Sequence, residues 1–298
     1  MPLLCLGTVQ FGIPYGITNT VGKVPESQVR ELLSEAAEAG LTMLDTAQAY
    51  GDAEAVLGRT LSNKHELKLI SKLPAQKQDA FIASDRFTWD AAFEDSCRRL
   101  GQDSLDSFLV HNAADFHKPG SSYLHSWLRS LREDGRVRRI GVSIYESSDL
   151  QRIPSDLLDL VQLPLSLYDQ RLLADGTISA LRDRGCAIHA RSIYLQGLLL
   201  RQARDWPSWI NPSARKHHAL LEQLASERKC SLLDLAVGFA GCQQDLEAVV
   251  VGICSQLELH QLLTAWKRSS PWKNEEWLRW GLDAPTVIDP RCWPSSNK

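Results

Sequence analysis

The sequence predicts an α/β chain folded as a (β/α)8 TIM barrel, and three observations predict it. Eight short apolar runs of β type alternate with segments of helical period, which is the size and order of such a barrel over about 270 residues. Four helix-to-strand junctions carry a glycine just past the helix, at Gly40, Gly101, Gly135 and Gly185, where a left-handed conformation ends a helix and turns the chain back. The first run is followed by FGIPYG, which lacks the G-x-G-x-x-G spacing of the competing open doubly wound sheet.

The predicted strands are Leu3–Val9, Leu41–Thr46, Leu67–Leu73, Ser107–His111, Arg138–Ile144, Leu157–Leu163, Ala187–Ile193 and Ala248–Ile253. Several are nearly continuous apolar stretches, as strands buried on both faces of a parallel sheet must be. Between them, Val29, Leu32, Leu33, Ala36 and Ala37 form one helical stripe, and Val56, Leu57 and Leu61 another. Phe93, Cys97 and Leu100 mark a third stripe, and Leu124, Trp127, Leu128 and Leu131 a fourth. The loop Trp206–Ser213 leads into two extra helices before strand eight, Ala214–Arg228 and Leu232–Cys242. A Trp/Pro-rich C-terminal tail follows, with Trp266, Trp272, Trp277, Trp280 and Trp293. Such a tail either packs outside the barrel or folds over its mouth to shape a pocket. No linker divides the chain, so residues 1–298 are read as one domain.

Composition narrows the function classes. With 44% apolar and 23% charged residues the chain suits a globular protein. A net charge of −3, from 33 basic and 36 acidic residues, gives no reason to expect nucleic acid or an acidic membrane as partner. No 18-residue apolar stretch is present, so no membrane span is expected. The start MPLLCLGTVQFG lacks the positive region of a signal peptide. Seven scattered cysteines without a C-x-x-C fit reduced thiols and a cytoplasmic location.

In this fold, chemistry sits where strands end. The strand ends carry Asp45, Lys72, His111, Ser143, Gln162, Arg191 with Ser192, and Gly252, and Tyr50 follows Asp45 in the loop to the next helix. A buried lysine beside an aspartate keeps its charge, and a phenol near that ammonium is expected to have a lowered pKa. A histidine on the facing strand end can hydrogen-bond a carbonyl oxygen. The set suits protonation of an oxygen gaining negative charge, as in carbonyl reduction, for which a bound nicotinamide must supply the hydride. The bland readings are a structural Asp45–Lys72 ion pair, a surface or second-layer ion-pairing role for Arg191, packing for Cys254 and a solvated connection for RVRR at 136–139. His111, Asp115 and His117 do not have the spacing of a zinc site, and no metal is expected.

These residues also carry a family resemblance. LDTAQAYGDAEAVLGRTL closely resembles the D-T-A-x-x-Y-G-x-x-E-x-x-L-G signature of the aldo-keto reductases. ISKL looks like that family's catalytic lysine strand and LDSFLVH its catalytic histidine strand. The resemblance runs from GTVQFG to VVVGICS. It implies Tyr50 as general acid, Lys72 and Asp45 as the pair that tunes it, and His111 as the group that orients a small-molecule carbonyl substrate.

The same likeness implies a nicotinamide site. GVSIY and VQLPLSLYD would place Ser143 and Gln162 at the carboxamide, and ARSIYLQGLLL would wrap the pyrophosphate with Ser192, Leu195, Gln196 and Gly197. Gly252 and Ser255 of VVVGICS would complete the site, and Arg191 stands where many members stack an aromatic on the nicotinamide. Ile144 replaces the usual Asn. The resemblance implies NADP(H); yet residues 252–266 hold no Lys or Arg, and Glu258 falls near a position often held by Arg, which leaves NAD(H) open. The rival reading is a nicotinamide-binding sensor or regulatory subunit with little catalysis. Neither the substrate nor the oligomeric state is legible in the sequence.

Overall fold

A computed structural model describes residues 1–61, 67–268 and 274–294. Eight strands form the barrel: β1 (Leu3–Gly7), β2 (Met43–Asp45), β3 (Lys68–Leu73), β4 (Leu105–Val110), β5 (Val137–Ser143), β6 (Leu160–Pro164), β7 (Ala187–Arg191) and β8 (Ala248–Gly252). Each pairs in parallel with its sequence neighbours, and β1 closes on β8. The predicted runs hold within a few residues. Val9 begins a short helix instead of ending β1, and residues 157–159 lead into β6 through a 3₁₀ turn.

The helices are α1 (Val9–Gly12), α2 (Glu26–Glu38), α3 (Ala53–Thr60), α4 (Asp85–Leu100), α5 (Ser121–Glu133), α6 (Arg171–Ala174), α7 (Thr177–Asp183) and α8 (Pro212–Glu227). They continue with α9 (Leu232–Gly241), α10 (Gln256–Arg268), α11 (Asn274–Leu278) and α12 (Pro285–Ile288). The four junction glycines are all left-handed. The two helices ahead of β8 are separately capped: Asn211 accepts the Ala214 N–H before α8, and Ser231 and Asp234 form a reciprocal box at the start of α9.

Two cores result. Inside the barrel, Cys5, Met43, Ile70, Leu109, Leu160 and Ala248 pack together. Outside it, the helices bury aromatic and aliphatic side chains against the strands, with Phe93 edge-on to Phe108 and Trp89 against Trp127. The interior is closed at the bottom by Arg139, which binds Asp106 and Glu247 at 2.7 Å each, and by His189 at 2.8 Å from Glu247.

Of the two roles foreseen for it, the tail takes the packing one. Trp277 is edge-on to Phe239 of α9, Trp280 meets His217 of α8, and Trp293 meets Trp209. Farther along, Arg291 reaches the barrel mouth, its guanidinium 4.1 Å from the centre of the Tyr145 ring. Trp272 lies outside the described residues. Among the described residues, no helix is long and apolar enough to cross a membrane.

Candidate active site

Strand register puts the polar side chains on one rim. Gly7 pairs with Asp45 and with Gly252, and Ser143 pairs with Gln162. Above that rim lies a cavity of about 830 Å³, lined by Asp45, Tyr50, His111, Ser143, Gln162, Arg191 and Gly252 among others.

The loop from Asp45 to Tyr50 is held by close backbone packing. A Cβ on Gly12 would fall 1.7 Å from the Tyr50 carbonyl, and Gly51, left-handed at φ 59°, packs against the Gly12 carbonyl in turn. Only glycines allow α1 and this loop to meet so closely. From the other side, Glu54, 1% exposed, accepts the hydroxyls of Ser71 (2.5 Å) and Ser96 (2.8 Å) and the Arg99 Nε–H (2.8 Å). Gln48 donates to Ser96 and to the Ala92 carbonyl. A buried carboxylate with this many donors is satisfied, so the network is rigid.

At the centre, Lys72 Nζ donates to Asp45 Oδ1 (2.7 Å), Asp45 Oδ2 (2.8 Å) and the Thr46 carbonyl (2.8 Å). Three acceptors use all three ammonium protons. Burial pulls the Lys72 pKa below the ordinary lysine value, against the opposing pull of Asp45. Nζ also sits 5.2 Å from the centre of the Tyr50 ring. Tyr50 in turn meets His111 edge-on, ring centres 5.7 Å apart.

One electrostatic expectation is corrected here. Burial, and then the Asp45 carboxylate, push the Tyr50 phenol well above the usual tyrosine range instead of lowering it. The ammonium is neutralised by its own aspartate, so little net field is left to favour a phenolate. Tyr50 is therefore a protonated hydroxyl. Burial and the nearby Lys72 charge lower His111 to about 3, so its imidazole is neutral.

The cofactor residues expected from the sequence divide. Ser143, Gln162, Ser192, Gln196 and Gly252 line the cavity with Arg191, as does Gly197. Gln162 also donates to Asp45 Oδ1 at 2.7 Å, which ties it to the central pair. Leu195 is buried and is not among the lining residues, and Ser255 accepts the Glu258 N–H at the start of α10. Ile144 turns its side chain into the core, while its carbonyl accepts an Arg191 N–H at 3.0 Å. Arg191 stacks on Tyr145, 4.2 Å from the ring centre.

The cavity suits a dinucleotide on three observations. Its volume falls within the range of small-molecule sites. Ser192, Leu195 and Gln196 hold positive φ values of 64°, 48° and 55°, followed by Gly197 at 92°; such strain clusters at ligand clamps. Gln10, which lines the cavity, keeps a buried carbonyl oxygen without a partner. The loop after β1 crosses above, where Thr18 donates to the Gln196 carbonyl at 3.3 Å. Glu258 also lines the cavity and accepts the Cys254 N–H at 2.6 Å.

Sequence reading missed Tyr15, Thr18, Tyr145 and Arg291. Tyr15 and Tyr145 line the cavity, and burial raises the Tyr15 phenol to about 12. Tyr145 lies two residues beyond Ser143 and could have been found by following the strand end further; Tyr15 sits in a loop that no periodicity marks.

An aldo-keto reductase of Mycolicibacterium smegmatis is 36% identical over 144 residues, which cover 45% of this chain and 46% of that protein. An uncharacterized oxidoreductase of Bacillus subtilis is 30% identical over 54% of this chain and 57% of its own length. The chain thus spans about half the length of the curated relatives it matches. The holo form of an aldo-keto reductase from Bacillus halodurans superposes with a TM-score of 0.73 at 19% identity, covering 97% of this chain and 95% of that one. A profile of the aldo/keto reductase family matches residues 3–280, and the chain belongs to that family.

Proposed function

We propose that this protein reduces an aldehyde or ketone to an alcohol, with Tyr50 as the general acid. The observation that carries the reading is the convergence of Asp45, Tyr50 and His111 on the wall of one cavity, with Lys72 buried behind them on Asp45. A nicotinamide bound in that cavity supplies the hydride, which no side chain can. Ser143 and Gln162 would meet its carboxamide, and Ser192, Gln196, Gly197 and Gly252 its pyrophosphate and ribose.

The chain's own residues handle the proton. Neutral His111 donates an N–H to the substrate carbonyl and fixes its direction. Tyr50 delivers its phenolic proton to the carbonyl oxygen as that oxygen gains charge, and the Lys72–Asp45 pair, with Nζ 5.2 Å from the centre of the phenol ring, holds that ring in position. Water entering as the alcohol leaves restores the proton. A phenol held protonated at rest serves a donor well, since the acid form is the one needed.

The family expectation is NADP(H). Glu258 at the cavity wall and the lack of Lys or Arg over residues 252–266 weaken any grip on a 2′-phosphate, so we infer a site that accepts NADP(H) without strongly refusing NAD(H). Side-by-side titration of NADPH and NADH tests this; a preference for NADPH above about a hundredfold would contradict it. Tyr50→Phe tests the chemistry: turnover should fall by about 10²–10⁴-fold with cofactor affinity retained, and near-normal rates would remove Tyr50 from its role.

A further inference from the structure

The reacting end of the cavity holds an unusual set of donors. Arg191 stands beside the central group, close enough for its charge to act on Tyr50, His111 and Lys72. A guanidinium has five N–H donors. Arg191 uses two, toward the Ile144 carbonyl at 3.0 Å and Ser192 Oγ at 3.4 Å. Among the described residues, no carboxylate pairs with it, whereas the neighbouring Arg171 and Arg291 are taken by Asp169 and Asp289. Its plane is fixed by stacking on Tyr145, whose ring Arg291 also faces. The phenols of Tyr15 and Tyr145 line the same space, as does Asn112. Asp45, the carboxylate at this end, is already committed to Lys72 and Gln162.

We propose that Arg191, flanked by Tyr15 and Tyr145, is an oxyanion-binding subsite for the substrate, and that the carbonyl compound reduced carries a carboxylate. The proposal rests on the reductase reading above and reassigns Arg191 from the nicotinamide to the substrate. A buried-edge guanidinium without a counter-charge is a standing demand for one, and its fork matches two carboxylate oxygens. One cation among neutral donors balances a single negative charge, which favours a carboxylate over a dianionic phosphate. The dinucleotide's pyrophosphate is the competing partner. The left-handed loop begins at Ser192, next to Arg191, and runs on to Gly197, with Glu258 of α10 beyond it; the guanidinium, however, lies flat on Tyr145 and its charge is felt at the reacting group, which favours the substrate side.

The test uses the full chain. Benzoate and its uncharged counterpart benzamide are titrated calorimetrically without cofactor, and 4-carboxybenzaldehyde and 4-formylbenzamide are then offered with NADPH or NADH. Benzoate should bind at least about tenfold more tightly than benzamide, and the charged aldehyde should show a similar advantage in kcat/KM. Arg191→Met should abolish both preferences, Arg191→Lys should keep part of them, and NADPH affinity should stay within about threefold in each variant. Equal handling of charged and uncharged compounds by the wild type overturns the proposal, as does a preference that survives in Arg191→Met. A loss of NADPH affinity in step with benzoate affinity also overturns it, handing Arg191 to the pyrophosphate. If no aldehyde is turned over, the reductase reading fails by itself, and the benzoate titration still decides the subsite.

Discussion

Glu54 accepts the hydroxyl of Ser71 at 2.5 Å, one residue before Lys72 in β3. Through Ser96 and Gln48 the same carboxylate reaches the loop that ends at Tyr50. It thereby fixes the distance between the phenol and the ammonium without touching either. Glu54→Gln keeps the shape but takes from Arg99 its buried, close charge partner and leaves it the looser contact with Asp95 at 3.9 Å. We expect a loss of about 1–3 kcal/mol in stability, and a fall in kcat of about tenfold with KM little changed. Urea denaturation and steady-state kinetics check the two; a changed KM with unchanged kcat would refute the positioning role.

Removing the counter-charge at the centre should be harsher. In Asp45→Asn the fully buried Lys72 ammonium faces an amide, and an uncompensated buried charge costs about 3–5 kcal/mol. Part of that loss should be relieved as Lys72 gives up its proton, so the variant should gain stability with rising pH relative to wild type. Denaturant midpoints measured from pH 6 to 9 test this.

At the bottom of the barrel, hydrogen bonds from His189 and then Arg139 hold Glu247 at about 2, against 4.5 for an ordinary glutamate. A carboxylate whose folded pKa is depressed stabilises the fold above its unfolded pKa. That contribution is fully present above about pH 5 and is lost as pH falls from 4.5 toward 2. Thermal melts of wild type and Glu247→Gln should therefore converge across this acid window.

Gly197 sits beneath the loop that follows β1. A Cβ there would lie 2.0 Å from Thr18 Oγ1, and the residue is left-handed at φ 92°. Gly197→Ala should cost more than about 1 kcal/mol and weaken nicotinamide binding. Adding Thr18→Ala should restore part of the binding and little of the backbone strain. Fluorescence titration of both variants decides it; an unaffected affinity in the single variant would show that the crossing loop plays no part in the site.

How much of this was legible beforehand follows from what each feature depends on. The strands could be read because burial on both faces demands apolar runs, and the junction glycines because their conformation excludes other residues. Asp45, Lys72 and His111 interrupt those runs at the same height, which made the rim visible. Their energetics were not: that Lys72 spends its protons on Asp45 and Thr46, leaving Tyr50 un-ionised, depends on angles that no spacing encodes. Tyr15 and Tyr145 come from loops, whose course is set by packing with distant segments. Arg191 was placed correctly at the end of β7, but its stacking partner, Tyr145, comes from just beyond β5, two strands away, and the second guanidinium on that ring comes from the tail.

The tyrosine held between two guanidinium groups has a consequence of its own. Arg191 presses on Tyr145 from the barrel and Arg291 from the far end of the chain, so one side chain of the pocket wall is backed by the docked tail. Loosening the tail at Trp280 or Asp289, well away from the chemistry, should then blur discrimination among substrates before it slows the reaction itself.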